Sequence, residues 1–320
     1  MKTKKGTESF EDKLAAQFAV SSEAYKGEGE DSFCCSRSGD AALIGVFDGC
    51  GGLGARQYKK YDNHTGAYMA SRLACGAVYD WFQTRKAGQD SRDALNELKK
   101  RIDSALQLGQ QMAGDTLKLR GTMVRDFPTT AAIALAEYRE EKISIDAIWA
   151  GDSRIYLLDH VGLSPLSKDD TGSSDAFDDL RNDPVQENVL SSDGNYVLHC
   201  RTATIKGPVA IIASSDGYFG YWRTPMEFEY FLLDTLERSF SLTEWKNKLH
   251  TEILEIAGDD ATLAVMLFNF RTFCELKSTY HARHEYLKEM YILPLSDSYS
   301  EEKAKELWQE YRHTYERYKY

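Results

Sequence analysis

The residues most able to do chemistry are carboxylates set where apolar runs stop. Gly45-Val46-Phe47 runs into Asp48-Gly49-Cys50-Gly51-Gly52, Ile148-Trp149-Ala150 into Gly151-Asp152-Ser153-Arg154, and Ile211-Ile212-Ala213 into Ser214-Ser215-Asp216-Gly217. Gly258-Asp259-Asp260-Ala261-Thr262 leads into another apolar run, and Glu28-Gly29-Glu30-Asp31 precedes Ser32-Phe33-Cys34. One Asp-Gly after a strand is ordinary turn chemistry. Four such sites on apolar strands are harder to dismiss, because the core strands of one sandwich can bring their ends together. Carboxylates gathered there repel one another, and burying them without partners is prohibitive. Divalent cations resolve that conflict. An all-oxygen donor set without a His or thiolate cluster selects a hard ion, Mg²⁺ or Mn²⁺. Two such ions about 3.5–4 Å apart can activate a bridging water and clamp a phosphoryl group.

The elements that must position these groups are legible as hydrophobic patterns. Residues 15–20, 41–47, 130–136, 143–150, 155–158, 209–213 and 263–268 read as strands, being short, apolar or β-branched and bounded by Gly, Asp or Ser. Val209-Ala210-Ile211-Ile212-Ala213 shows no polar alternation, as expected of a strand covered on both faces. Apolar spacings of three and four predict helices over 68–82 and 93–117, with further helices over 225–236 and 242–257. The order is strands, two helices, strands, helices, strand. That is not a strict βαβ alternation, so antiparallel sheets with helices packed outside are favoured over a doubly wound sheet. The stretch 172–198 carries six carboxylates against one arginine, Arg181, and reads as a loop or short acidic flap beside a site. The tail reads as two helices, 276–291 and 300–320, split by Pro294. Its stripe of Leu307, Tyr311, Tyr315 and Tyr318 is expected to pack on the chain's own core rather than to dock a partner. We therefore expect a domain over residues 1–270 and a helical extension over 271–320.

Composition narrows the function classes. Lys and Arg number 39 against 50 Asp and Glu, a net charge of −11, which disfavours binding to a phosphate backbone and so nucleic acid. No apolar run is long enough to span a membrane, and the charged first dozen residues lack the pattern of a secretory signal. The six cysteines contain no CxxC pair and read as thiols of a reducing cytoplasm, and the His spacing suggests no zinc site.

Taken in order, Glu30-Asp31, 45–52, Thr129-Thr130-Ala131, 150–156, 166–170, Ser215-Asp216-Gly217 and 259–262 resemble the motifs of the type 2C, metal-dependent protein serine/threonine phosphatases. Each motif is short, but seven in the family's order make a specific match over roughly residues 15–268. The resemblance implies a four-layer α/β/β/α sandwich of class α+β: two antiparallel sheets flanked by helices, here with a C-terminal helical extension. It implies roles by position. Asp48 would bridge two Mg²⁺ or Mn²⁺ ions with the Gly49 carbonyl as a further ligand. Asp216 and Asp259 would be the remaining direct ligands. Glu30 would act through water with Asp31 in support, and Asp152 would serve a third ion. Asp260 is the alternative to Asp259 if that motif is displaced by one, while Asp169 and Asp170 are expected to orient the loop before the flap. The implied reaction is in-line attack of a metal-bridging hydroxide on phosphoserine or phosphothreonine in a protein, with no phosphoenzyme.

Two accessory positions depart from the family. Cys50 stands where the family has a His that protonates the leaving alkoxide or holds the nucleophilic water, and a thiol is a weaker donor with a different reach. It is read as a neighbour of the site, with the acid and ligand roles as alternatives. Lys26 stands where the family has a phosphate-binding Arg, offering a point charge in place of a bidentate fork. Asp170 also replaces a common His, outside the expected metal cage. Because the ligand-type carboxylates are retained, a working enzyme is expected, with a phosphoprotein substrate and a cognate Ser/Thr kinase as partners. The alternatives are a non-catalytic phosphatase-like binding module and a phosphatase of small phosphorylated metabolites.

Overall fold

The computed structural model describes residues 13–85, 89–114, 125–139, 142–170, 175, 177, 188–297 and 299–318. Most of the acidic stretch at 172–198 lies outside the described residues. The strands are β1 (Leu14–Ser22), β2 (Ser32–Ser38), β3 (Ala41–Phe47), β4 (Gln57–Tyr58), β5 (His64–Thr65), β6 (Ala131–Arg139), β7 (Lys142–Ala150), β8 (Arg154–Leu158), β9 (Leu163–Pro165), β10 (His199–Ile205), β11 (Val209–Ser214) and β12 (Ala261–Phe268). Two antiparallel five-stranded sheets result, ordered β1-β12-β11-β8-β9 and β10-β7-β6-β3-β2. The longer helices are α1 (Gly66–Thr84), α2 (Ser91–Ala113), α3 (Pro225–Glu237), α4 (Leu242–Ile253), α5 (Phe273–Leu287) and α6 (Glu301–Tyr315).

The period-two geometry of a strand explains how the layers stack. On β3, Ala42, Ile44 and Val46 face the other sheet and join Ala132, Ala134, Ile145, Ile211, Ala264 and Met266 in a core between the sheets. The alternate residues, Leu43 and Phe47, face outward and pack under Ala70, Ala74 and Val78 of α1 and Ile102 and Leu106 of α2. On the opposite side, Phe18, Ile212 and Val265 meet Phe228, Trp245 and Leu249. Each sheet is therefore covered twice, as the unalternating apolar runs predicted, and the four-layer α/β/β/α sandwich is the observed fold.

Several boundaries differ from the sequence reading, each for a physical reason. β2 and β10 were not foreseen: both are edge strands, and their polar sequences SFCCSRS and HCRTATI carry little apolar signal. The second long helix ends at Ala113 rather than at 117, where Gly114 takes a left-handed φ of 78° and its N–H caps the Gln111 carbonyl. The helix beginning at 242 stops at Ile253. Pro294 does not split the tail. A π-helical turn, Lys288–Ile292, follows α5, the Leu293 N–H reaches back to the Lys288 carbonyl, and helix continues through Leu293–Asp297. The wider turn accommodates a residue that has no N–H and crowds the preceding carbonyls. The break falls after Asp297, and Ser300 caps α6 through the Lys303 N–H.

The tail packs on the sandwich, as expected of its aromatic stripe. Leu307, Trp308, Tyr311 and Tyr315 are buried in the same core as β8 and α3, and Ser164 Oγ on β9 donates to the carbonyls of Thr314 and Tyr315. Between α3 and α5, Asp234 accepts from His284 Nε2 at 3.2 Å and from Arg238 Nε at 2.7 Å. Burial opposes the Asp234 charge, but the bonds from His284 and Arg238 prevail and its pKa is lowered to about 2. His284 is raised, first by its bond to Asp234. Protonated His284 thus stabilises the fold fully below its unfolded pKa of about 6.5, and that contribution is lost as pH rises through the higher folded value. Asp234 keeps its part above its unfolded pKa of about 3.9 and loses it as pH falls from there through about 2. The urea midpoint is expected to drop between pH 6 and pH 8.5, and H284Q is expected to flatten that slope.

Candidate functional site

The sheets deliver their acidic turns to one end of the sandwich. Pairing of Ser22 with Ala261 and of Ser214 with Leu263 brings the ends of β1 and β11 to the start of β12. The turns stay locked beyond the ladders: the Ser215 N–H donates to the Thr262 carbonyl at 3.0 Å and the Thr262 N–H to Ser215 Oγ at 2.9 Å. Gly217 is required here, because a Cβ at that position would overlap the Asp260 carbonyl. From the other sheet, Asp48 leaves β3 held through its backbone. Its N–H donates to Thr130 Oγ1 at 3.2 Å, and its carbonyl accepts from the Thr130 N–H at 2.8 Å and Thr129 Oγ1 at 2.7 Å. Thr130 Oγ1 lies 2.6 Å from Ser153 Oγ, tying this turn to the one that carries Asp152.

The crossover from β1 to β2 supplies Glu30 and Asp31. Asp260 clamps it, accepting from the Ala24 N–H at 2.9 Å and the Glu30 N–H at 2.6 Å. Both Asp260 oxygens are thereby committed to backbone. Asp259, exposed at the mouth, accepts among the described residues its neighbour's N–H, from Asp260 at 2.8 Å. The start of α1 grips Glu30: Thr65 Oγ1 donates to its carboxylate, Ser71 Oγ to its carbonyl, and Arg72 Nη2 to the Gly29 carbonyl at 2.8 Å.

The electrostatics are those of crowded carboxylates. The Asp48 carboxyl shares a hydrogen bond with Asp216 and is held well above the usual range by burial, then by Asp31 and Asp216. Asp31 is raised likewise by burial, with Asp260 and Asp216 adding to it. Ser215 Oγ donates to Asp31 Oδ2 at 2.9 Å, but among the described residues the buried Oδ1 has no hydrogen-bond partner. Glu30 and Asp259 are raised too, burial first in each, with Asp260 adding at Glu30 and Asp216 at Asp259. Burial also pushes the Cys50 thiol up, with Asp152, Asp216 and Glu30 contributing.

These groups fit a hard dication in donor chemistry: all-oxygen side chains, mutual repulsion, and an orphaned buried oxygen on Asp31. In the geometry described, Asp48 and Asp216 turn to each other, and among the described residues no three acidic, His or Cys side chains are already arranged around a common point.

Of the residues singled out from sequence, Asp48 and Asp216 are in contact, Asp259 and Asp31 lie within electrostatic reach of Asp216, and Glu30 lies within reach of Asp259. Gly49 bridges to Thr129 beside them, and Asp152 acts on Cys50. Glu30, Asp259 and Asp260 line a cleft of about 510 Å³ with Tyr25, His64 and Tyr68. Lys26 is exposed and lines the adjoining cleft, about 630 Å³, with Asp31, Arg72 and His250. Asp169 and Asp170 do orient a loop. Asp169 pairs with the buried Arg154, and Asp170 accepts from the Gly151 N–H at 3.0 Å and contacts His199 Nε2 at 2.9 Å. Sequence reasoning missed the grip of Thr65, Ser71 and Arg72 on Glu30. These residues belong to a helix whose pattern signals only amphipathicity, and nothing in it points to a loop more than thirty residues upstream.

The fold has solved counterparts. The serine/threonine phosphatase PstP/Ppp of Mycobacterium tuberculosis is similar at 18% identity and a TM-score of 0.57, over 81% of this chain and 100% of that one. The catalytic domain of PstP in complex with two manganese ions is similar at 18% identity and a TM-score of 0.54, over 81% and 99%. Stp1 from Staphylococcus aureus is similar at 15% identity and a TM-score of 0.57, over 80% and 97%. No family model and no curated protein sequence matches the chain. At these identities the likeness is one of fold: the chain has the fold of these serine/threonine phosphatases.

Proposed function

We propose that the chain is a divalent-metal-dependent phosphomonoesterase acting on phosphoserine and phosphothreonine in proteins. The observation that carries this reading is the meeting of Asp48 and Asp216 between the two sheets, beside Asp31 with its orphaned oxygen, on a fold whose solved counterparts are protein phosphatases. Asp48, the Gly49 carbonyl, Asp216 and Asp259 would hold Mg²⁺ or Mn²⁺, with Glu30 acting through water and Asp152 serving a third ion. Bound there, the metal supplies Lewis-acid polarisation of the phosphoryl group and a nucleophile at neutral pH.

The chain's own residues do the positioning. Thr129 and Thr130 fix the Asp48 backbone, Ser215 fixes Asp31, and Asp260 with Thr65 and Ser71 holds the Glu30 loop against the mouth. That preorganisation keeps the acidic oxygens in place as charge develops on the phosphoryl group. Lys26 supplies a mobile point charge for the substrate phosphate from the neighbouring cleft, and Cys50 offers a single weak S–H donor to the departing oxygen.

The test is a titration of Mn²⁺ into the purified chain with an aryl phosphate and a phosphothreonine peptide. Metal-dependent turnover of both is expected, and C50H/K26R is expected to stay within about tenfold of wild type, less than the 10²–10⁴ typical of a missing general acid. The placement of Lys26 in a separate cleft favours one competing reading, a module that binds phosphoproteins without hydrolysing them. It requires phosphopeptide binding with no turnover in the wild type, and turnover in the double variant alone.

A further inference from the structure

Beside the turn that carries Asp152, a histidine that no motif singled out closes a chain of hydrogen bonds. His199 opens β10 and pairs with Trp149, two residues before Gly151. Its ring stacks on the Trp149 indole, with centroids 5.3 Å apart and 28° between the planes. Its Nε2 lies 2.9 Å from Asp170 Oδ1. The other oxygen of Asp170 accepts from the Gly151 N–H at 3.0 Å and from Asn188 Nδ2, while the Asp170 N–H donates to the Gly151 carbonyl at 3.1 Å. Both backbone groups of Gly151 are thus held by one residue, and that residue is held by His199 and Asn188. We propose that His199 is a positioning residue: through Asp170 it fixes Gly151, and so seats the turn carrying Asp152 against the threonine that holds Asp48.

The donors settle which atom carries the proton. Asp170 faces N–H groups from Gly151, Asn188 and His199, and a carboxylate only accepts, so the hydrogen in the His199–Asp170 bond belongs to Nε2. A bond to a charged acceptor is stronger than one between neutral groups. Its supports are themselves fixed. Trp149 Nε1 donates to the Lys168 carbonyl at 2.7 Å, and the Asn188 side chain exchanges bonds of 2.9 and 2.8 Å with the backbone of Val197. Gly151 is where the grip has most effect. Its φ is 92°, in the region that favours glycine, and a Cβ there would come within 2.8 Å of Thr130 Cγ2. With no side chain to pack, Gly151 is positioned by its two backbone bonds to Asp170. Thr130 Oγ1 in turn accepts from the Asp48 N–H and touches Ser153 Oγ. A displaced Gly151 is therefore felt at Asp152, one residue on, and at Asp48 through Thr130.

The consequence for metal rests on the proposed function, so the test reads the backbone and Mn²⁺ binding separately from turnover. Three variants divide the ring's contacts: H199F keeps a ring against Trp149 but no donor, H199Q keeps a donor but no ring, and D170A removes the acceptor. Amide exchange at Gly151 is followed by NMR in the metal-free full chain. H199F and D170A are expected to speed it by about 10–100-fold, the loss of a bond to a charged group, while the amides of β3 stay as protected as in wild type. H199Q is expected to remain within a few-fold of wild type, and the D170A/H199F double variant to be no faster than D170A, because the two residues act in one chain. Mn²⁺ affinity, read from the electron paramagnetic resonance of the free ion, is expected to fall about tenfold in H199F and to be restored in H199Q. Unchanged Gly151 exchange in H199F, or a larger effect in H199Q than in H199F, would overturn the proposal by reducing His199 to a packing ring. Faster exchange with undiminished Mn²⁺ affinity would overturn its second half, since the turn would then not seat the acidic site. If the wild type binds Mn²⁺ and shows these effects but turns over no phosphomonoester, the phosphatase reading fails and the role of His199 stands.

Discussion

Replacing Asp48 by Asn is expected to cut metal-dependent phosphomonoester turnover by about 10³-fold or more, while raising the melting temperature of the metal-free protein. The first effect follows from the metal's contribution, which is worth several kcal/mol of charge stabilisation, at about 1.4 kcal/mol per tenfold in rate. The second follows from the crowding. The Asp48 carboxyl is held up by burial and by Asp31 and Asp216, so its charged form is a net cost when no cation is present. An amide keeps the size and can still hydrogen-bond to Asp216, but it carries no charge. A gain of about 1 kcal/mol raises the melting temperature by a few degrees for a chain of this size. Paired kinetic and thermal measurements separate the readings. A residue that merely supports the fold would lose stability along with activity, whereas a ligand of an absent cation gains stability as it loses function.

The second large effect lies far from the acidic end. Glu229 on α3 is fully buried, and Arg283 of α5 reaches it with two bonds, 2.8 Å to Oε1 and 2.9 Å to Oε2. Tyr311 of α6 donates to the same carboxylate at 2.6 Å. R283A leaves that carboxylate buried with one neutral donor, and is expected to destabilise the chain by about 3–5 kcal/mol in urea unfolding. That is a large share of the roughly 5–15 kcal/mol typical of a folded domain. Replacing both partners by Met is expected to recover most of the loss, because no orphaned charge remains. Y311F should cost less, on the order of 1.5–3 kcal/mol for a bond to a charged acceptor. If R283A is as stable as wild type, the three helices are not joined through this network.

How much of this was legible in the sequence depends on how local each signal is. Strand β3 was readable to the residue, since 41–47 is wholly apolar and ends at Asp48. The buried strands β7, β11 and β12 were found within two residues for the same reason. β2 and β10 were not: an edge strand needs one good face, and burial on β10 alternates without a single fully buried residue before Ile205. Pro294 misled because a breaker read alone carries no knowledge of the π-helical turn before it. At the site, the acidic residues were readable as punctuation after strands. Their division of labour was not. Only the pairing of β1 with β12 shows that Asp260 is committed to the backbone of the Glu30 loop, leaving Asp259 at the mouth. Contacts separated by more than two hundred residues leave no trace in local periodicity.

The central claim is that Asp48, Asp216 and Asp259 act together on hard dications. Anomalous diffraction from crystals soaked in Mn²⁺ tests it most directly. Two strong peaks are expected beside Asp48, with Asp216 and Asp259 turned toward them and the Asp48–Asp216 hydrogen bond broken. Clear density for the three carboxylates with no anomalous peak between them, at Mn²⁺ concentrations that saturate any turnover, would contradict it.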